Sequence, residues 1–119
     1  MTAVRAEIIT VGSEMLAPDR VDTNSPFITE RLNELGVEVI AKTIAADDRE
    51  VLAGLLRLAL SRADLVVFTG GLGPTSDDVT REAVAEALGV ALDEDPATIE
   101  RLEQRFARDR AVLDLTYFY

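Results

Sequence analysis

Residues 65–80, LVVFTGGLGPTSDDVT, decide the fold. Leu65 to Thr69 is a short unbroken apolar run, the pattern of a central strand covered on both faces. Gly70-Gly71-Leu72-Gly73-Pro74 stops it, because no helix continues through three glycines and a proline. Thr80 to Leu88 is Ala-rich and closes at Gly89, as a short helix does. The stretch therefore reads strand, glycine-rich loop, helix.

The same alternation extends in both directions. Upstream, Val51, Leu52, Leu55, Leu56, Ala59 and Leu60 form one wide helical stripe. Asp47 and Glu50 give the D-x-x-E form of its start, with Asp47 as the N-cap. Residues 37–46 (VEVIAKTIAA) form a second strand. Ser25-Pro26 reads as the cap and first position of a helix that ends at Gly36. Residues 5–12 (RAEIITVG) form the first strand. Downstream, residues 90–94 read as a short extended piece. Asp95-Pro96 then opens a last helix with Ile99, Leu102 and Phe106 on one face. Its alternating charges, Glu100–Arg110, mark a solvated side. Strands alternating with helices predict a three-layer α/β/α fold with a mostly parallel sheet. Three strands are few against the usual ~5. A single domain over residues 1–119, incomplete at its C-terminus, is therefore expected.

Composition narrows the function classes. Twelve Lys plus Arg against 22 Asp plus Glu give a net charge of −10. Such a surface repels nucleic acid and anionic membrane, so neither is an expected partner. The sequence has no Cys and no His, which removes disulfides, thiolate zinc sites and Ser–His chemistry. A metal would be held by oxygen, which points to Mg²⁺ or Mn²⁺. The first twelve residues do not read as a secretory signal, and a cytoplasmic protein is expected. Tyr117, Phe118 and Tyr119 are expected either to pack on the sheet or to mediate self-association into a homo-oligomer.

In a parallel sheet the ligand edge lies at the carboxyl ends of the strands. Three polar loops leave that edge: Gly12–Ser25, Asp47–Asp48 and Gly70–Thr80. Glycines there can serve a turn alone, or can bring backbone N–H groups against a phosphate. The loop is neither a Walker loop nor G-x-G-x-x-G. Asp47, Asp77, Asp78 and Thr80 can each serve as caps. Carboxylates about 4 Å from a phosphate oppose it by ~4 kcal/mol at an effective dielectric of ~20, and a divalent ion between them reverses the sign. Glycines and acids together therefore fit a metal-assisted phosphate site.

Gly12-Ser13-Glu14-Met15-Leu16, Asp22-Thr23-Asn24-Ser25, Ala46-Asp47-Asp48 and Gly70 to Thr80 resemble the N-terminal domain of the competence/damage-inducible CinA family, within the wider MoaB/Mog group of molybdopterin-binding domains. The resemblance runs from about Arg5 to Phe106. Leu72 stands where the molybdopterin branch usually has Thr, which favours the CinA branch. The resemblance implies a MoaB/Mog-like fold and a phosphate on the glycine loop. In the CinA branch it also implies metal-dependent cleavage of ADP-ribose. A separate deamidase domain of that family has no counterpart here.

The site expected on this basis is a metal-dependent hydrolase of a nucleoside-diphosphate sugar. Asp47 and Asp78 are its catalytic residues and hold Mg²⁺ or Mn²⁺. Gly70, Gly71 and Gly73 hold a phosphate, with Thr75, Ser76 and Thr80 donating to its oxygens. Asp22 and Asn24 meet the ribose or base. The alternatives are a non-catalytic module that binds a small phosphorylated nucleotide or pterin, and an inactive truncated chain.

Overall fold

The computed structural model describes residues 3–108. Three parallel strands, β1 (Arg5–Val11), β2 (Glu38–Ala45) and β3 (Leu65–Thr69), form one sheet in the order β2-β1-β3. Four helices follow or join them: α1 (Asn24–Glu34), α2 (Arg49–Leu60), α3 (Thr80–Leu88) and α4 (Pro96–Arg108). The step from β1 to β2 and the step from β2 to β3 run in opposite directions across the sheet. Right-handed crossovers therefore place α1 and α2 on opposite faces, giving the three-layer α/β/α architecture.

β1 is the central strand and is buried from Ala6 to Val11. On one face its Ile9 and Val11 form the core with Ala45, Leu52 and Ala83, flanked by Leu55, Val66, Phe68 and Val79. Leu52 is fully buried, a placement that stabilises by roughly 1.5–3 kcal/mol relative to exposure. Helix α2 presents Leu52, Ala53, Leu56 and Ala59 inward, and α3 packs beside it through Ala83 and Ala85. Small side chains there let the two helices share one face.

The apolar run of β3 predicts a central strand, but β3 lies at an edge. The crossover from β2 passes over β1 and sets β3 down on its far side. Val66 to Thr69 are half-buried, and among the described residues no strand pairs with the outer edge of β3. An apolar run reports cover above and below a strand; it does not report neighbours alongside.

Near the start of β1, away from the ligand edge, Glu7 is 2% exposed and takes a two-pronged bond from Arg62 (2.6 and 2.9 Å). The Arg62 hydrogen bond holds the Glu7 carboxyl below its ordinary pKa against the opposing effect of burial, with help from the Arg62 and Arg5 charges. Residues 90–94 form no strand; Gly89, at φ +67°, turns the chain out of α3. No described helix is long and apolar enough to cross a membrane. Tyr117, Phe118 and Tyr119 lie outside the described residues.

A candidate ligand site at the carboxyl edge of the sheet

Because all three strands run parallel, their polar loops leave at one edge. The first two loops are clasped together. The Gly12 N–H donates to the Ala45 carbonyl (2.9 Å). Ser13 N–H donates to Asp47 Oδ2 (3.0 Å), and Asp47 N–H donates to Ser13 Oγ (3.1 Å). Asp47 is thereby occupied across the loops, and the cap expected of it falls to the next residue. Asp48, in extended backbone, accepts the Val51 N–H (3.1 Å) and starts α2.

Asp22 organises the start of α1, a role the sequence pattern gives to Ser25. Its carboxylate accepts from Thr10 Oγ1 (3.0 Å), from the N–H groups of Asn24 and Ser25 (3.1 Å each) and from Ser25 Oγ. Burial pushes this carboxyl up, but the bonds from Ser25, Thr10 and Asn24 outweigh it and hold it below its ordinary value. A charged Asp22 thus ties α1 to the central strand.

Between the ends of β1 and β3 lies a cavity of about 210 Å³. Thr10, Val11, Asp22, Thr23, Asn24, Thr69 and Gly70 line it, with Glu14, Met15 and Val21. Thr10 and Thr69 are register partners on the adjacent strands. The Thr10 hydroxyl is taken by Asp22, whereas Thr69 Oγ1 is buried with no hydrogen-bond partner. A buried unpaired hydroxyl is unfavourable by about 1–3 kcal/mol.

The glycine-rich loop borders this cavity at Gly70. Gly70 and Gly71 have φ of +86° and +68°. A Cβ on Gly70 would strike the Val11 carbonyl, and one on Gly71 would strike Thr80 Oγ1. The loop is tied down by the start of α3. Thr80 is buried; its Oγ1 donates to the Gly70 carbonyl (2.8 Å) and its N–H to the Gly71 carbonyl (3.2 Å). Arg81 donates to the carbonyls of Leu72 (2.9 Å) and Gly73 (3.3 Å). Farther along, Asp78 Oδ2 accepts Thr75 Oγ1 (2.6 Å) and Thr75 N–H (3.2 Å). The Thr75 hydroxyl lowers the Asp78 pKa most, against burial, with the Gly73 and Thr75 N–H groups and the Arg81 charge adding to it. Ser76 and Asp77 are exposed.

The expected site residues thus fall into three groups. Gly70, Asp22 and Asn24 line the cavity. Gly71, Gly73, Thr75, Ser76, Asp78 and Thr80 belong to the glycine-rich segment beside it. Asp47 sits in the clasp with Ser13. Sequence reasoning passes over Thr10, Thr69 and Arg81. For the threonines a signal exists: each stands at or next to the last residue of a strand that ends in a glycine. For Arg81 there is none, since its partners are backbone carbonyls eight and nine residues away.

Comparison with known proteins agrees with this architecture. The sequence model of a family described as "Probable molybdopterin binding domain" matches residues 7–117. A CinA-like protein of Koribacter versatilis is 53% identical over 108 residues, covering 91% of this chain and 26% of its own length. The chain thus spans about a quarter of the curated relatives it matches. The crystal structure of CinA from Thermoplasma acidophilum, a protein of unknown function, superposes with a TM-score of 0.83 at 37% identity, covering 88% of this chain and 62% of that one. The molybdopterin biosynthesis enzyme MoaB of Thermus thermophilus gives 0.66 at 33% identity, over 70% of this chain and 54% of that one.

The metal-dependent hydrolase expected from the sequence is overturned by these findings. Among the described residues no three Asp, Glu, His or Cys side chains gather to hold a metal ion. Asp47 and Asp78, the expected ligands and catalytic pair, turn instead to Ser13 and Thr75 in separate loops. The donor set therefore does not fit the Mg²⁺ or Mn²⁺ site inferred from charge arithmetic. Nor do these similar proteins bear the name of a nucleoside-diphosphate-sugar or ADP-ribose hydrolase. Asp47 and Asp78 are used one at a time, each within its own loop contacts.

Proposed function

We propose a ligand-binding function from one premise: the chain belongs to the molybdopterin-binding domain family, in its CinA-like branch. On this reading it binds a small phosphorylated heterocycle, a pterin or a nucleotide, and does not turn it over. The observation that carries the reading is the cavity between β1 and β3, with the buried, unpartnered Thr69 hydroxyl at its edge with the glycine loop.

At about 210 Å³ the cavity is smaller than the ~300–1,000 Å³ of sites that enclose a whole drug-sized ligand. It accommodates one part of the ligand, a ring or a sugar, while the phosphate lies over the adjoining loop. Val11, Met15 and Val21 offer apolar contact to the ring, and Thr69 and Asn24 offer hydrogen bonds. The N–H groups of the glycine loop serve the phosphate, as such loops do for anions generally.

The test is calorimetric titration of the purified chain with ADP and with a phosphorylated pterin, each beside its unphosphorylated counterpart. Saturable binding that favours the phosphorylated forms is expected. Thr69→Val, which deletes the hydroxyl at nearly constant shape, should weaken binding about tenfold, or ~1.4 kcal/mol. Absence of binding to every phosphorylated form would overturn the reading.

A further inference from the structure

The cavity between β1 and β3 is lined by two carboxylates, Asp22 and Glu14, and by no Lys or Arg. Such a lining opposes an anion and favours a group that donates hydrogen bonds. The two acids are not equivalent. Asp22 Oδ1 already accepts the N–H groups of Asn24 and Ser25, and its Oδ2 accepts the hydroxyls of Thr10 and Ser25. The Glu14 carboxylate has no hydrogen bond or ion pair among the described residues.

Glu14 is nevertheless held in place. It stands in a single helical turn, Ser13–Leu16, just past the end of β1. Asp47 grips this turn at Ser13, and the Met15 N–H donates to the Gly12 carbonyl (3.0 Å). The Glu14 side chain folds back over Gly12, where a Cβ would lie 2.5 Å from Oε1 and 3.0 Å from Oε2. Glycine at position 12 leaves room for the carboxylate at the end of β1. There Glu14 is exposed and forms part of the cavity wall.

A carboxylate only accepts, and it offers two oxygens side by side. A pair of adjacent N–H groups satisfies both in parallel bonds. Guanine and pterins carry such a pair, a ring N–H beside an exocyclic amino group. Adenine carries an amino group beside a bare ring nitrogen, whose lone pair would face a carboxylate oxygen. We propose, on the ligand-binding reading above, that Glu14 is the specificity-determining residue of the cavity: its carboxylate selects heterocycles with the 2-amino-4-oxo edge of guanine and pterins over adenine. The neighbouring ring carbonyl is left to the Asn24 amide or the unpaired Thr69 hydroxyl.

The experiment is calorimetric titration of the chain and its Glu14→Gln and Glu14→Asp variants with GMP, IMP and AMP. These nucleotides share sugar and phosphate and differ in the base. The wild-type chain is expected to bind GMP about tenfold more tightly than AMP. IMP keeps the ring N–H without the amino group and should fall between. A Gln amide offers one donor and one acceptor, the complement of the adenine edge. Glu14→Gln should therefore lose GMP affinity about tenfold and hold AMP within twofold. Glu14→Asp keeps the charge but draws the carboxylate back by one methylene, and should lose most of the preference. Urea midpoints matching the wild type show that the variants are folded. Equal wild-type affinity for GMP and AMP, a preference that survives Glu14→Gln, or an equal loss of both nucleotides overturns the role of Glu14 and leaves the binding reading intact. A wild-type chain that binds no phosphorylated form overturns both.

Discussion

Gly71 and Gly89 share a positive φ, +68° and +67°, and differ in what surrounds them. A Cβ on Gly89 meets nothing within 4 Å, whereas one on Gly71 meets Thr80 Oγ1 and, at 3.1 Å, Val11 Cγ1. Gly89→Ala therefore measures the left-handed conformation alone, about 1–2 kcal/mol. Gly71→Ala adds a collision with a hydroxyl that cannot swing aside freely. Thr80 is buried and bound to the loop through both its Oγ1 and its N–H. Moving it loses the bond to Gly70, worth about 1–3 kcal/mol where the partner is left unpaired. Gly71→Ala should then be destabilising by roughly 2–5 kcal/mol, a large part of the ~5–15 kcal/mol that holds a domain folded. Urea unfolding followed by circular dichroism measures both variants. Adding Thr80→Ala to Gly71→Ala should recover part of the loss, because the obstacle is gone and the two changes are not additive. Equal losses for Gly71→Ala and Gly89→Ala would refute the close packing of loop and helix on which the site depends.

Further expectations concern the acids. Asp48→Ala should lower stability by about 1 kcal/mol through loss of the α2 cap, while Asp47→Asn should be nearly silent in urea unfolding, since an Asn oxygen still accepts the Ser13 N–H. Glu7→Gln should lower stability, because the buried carboxylate loses its charge against the partly exposed Arg62 guanidinium; an unchanged urea midpoint would count against it. Glu7, Asp22 and Asp78 all have pKa values lowered by folding. Their stabilisation is fully present above the unfolded carboxyl values, about pH 4–5, and is lost as pH falls through the lower folded values. Thermal melts should therefore hold steady from pH 7 to about 5 and drop below about 4, with a smaller acid drop in Asp22→Asn.

Much of this was readable in advance, for identifiable reasons. The bounds of β3 and α3 follow from an apolar run, a glycine stop and the Ala-rich segment to Gly89, all local in the chain. The convergence of the loops follows from parallel strands. What local pattern cannot carry is which partner a side chain takes across space. Asp47 and Asp48 are equivalent as caps in sequence, and Ser13, on another loop, decides between them. Asp47 and Asp78 look like metal ligands while their donors are unknown, and become loop caps once Ser13 and Thr75 are seen against them. The lateral place of β3 and the return of Arg81 over the loop likewise depend on the crossover of the chain and on its packing.

The central claim, that a phosphorylated heterocycle binds between β1 and β3 beside the glycine loop without being turned over, is tested most directly by backbone NMR titration with a nucleoside monophosphate. The predicted result is saturable shifts confined to amides near Thr10, Thr23–Asn24 and Thr69–Gly73, with the ligand signals intact after prolonged incubation. Shifts centred elsewhere, no shifts at millimolar ligand, or loss of the ligand to hydrolysis would contradict it.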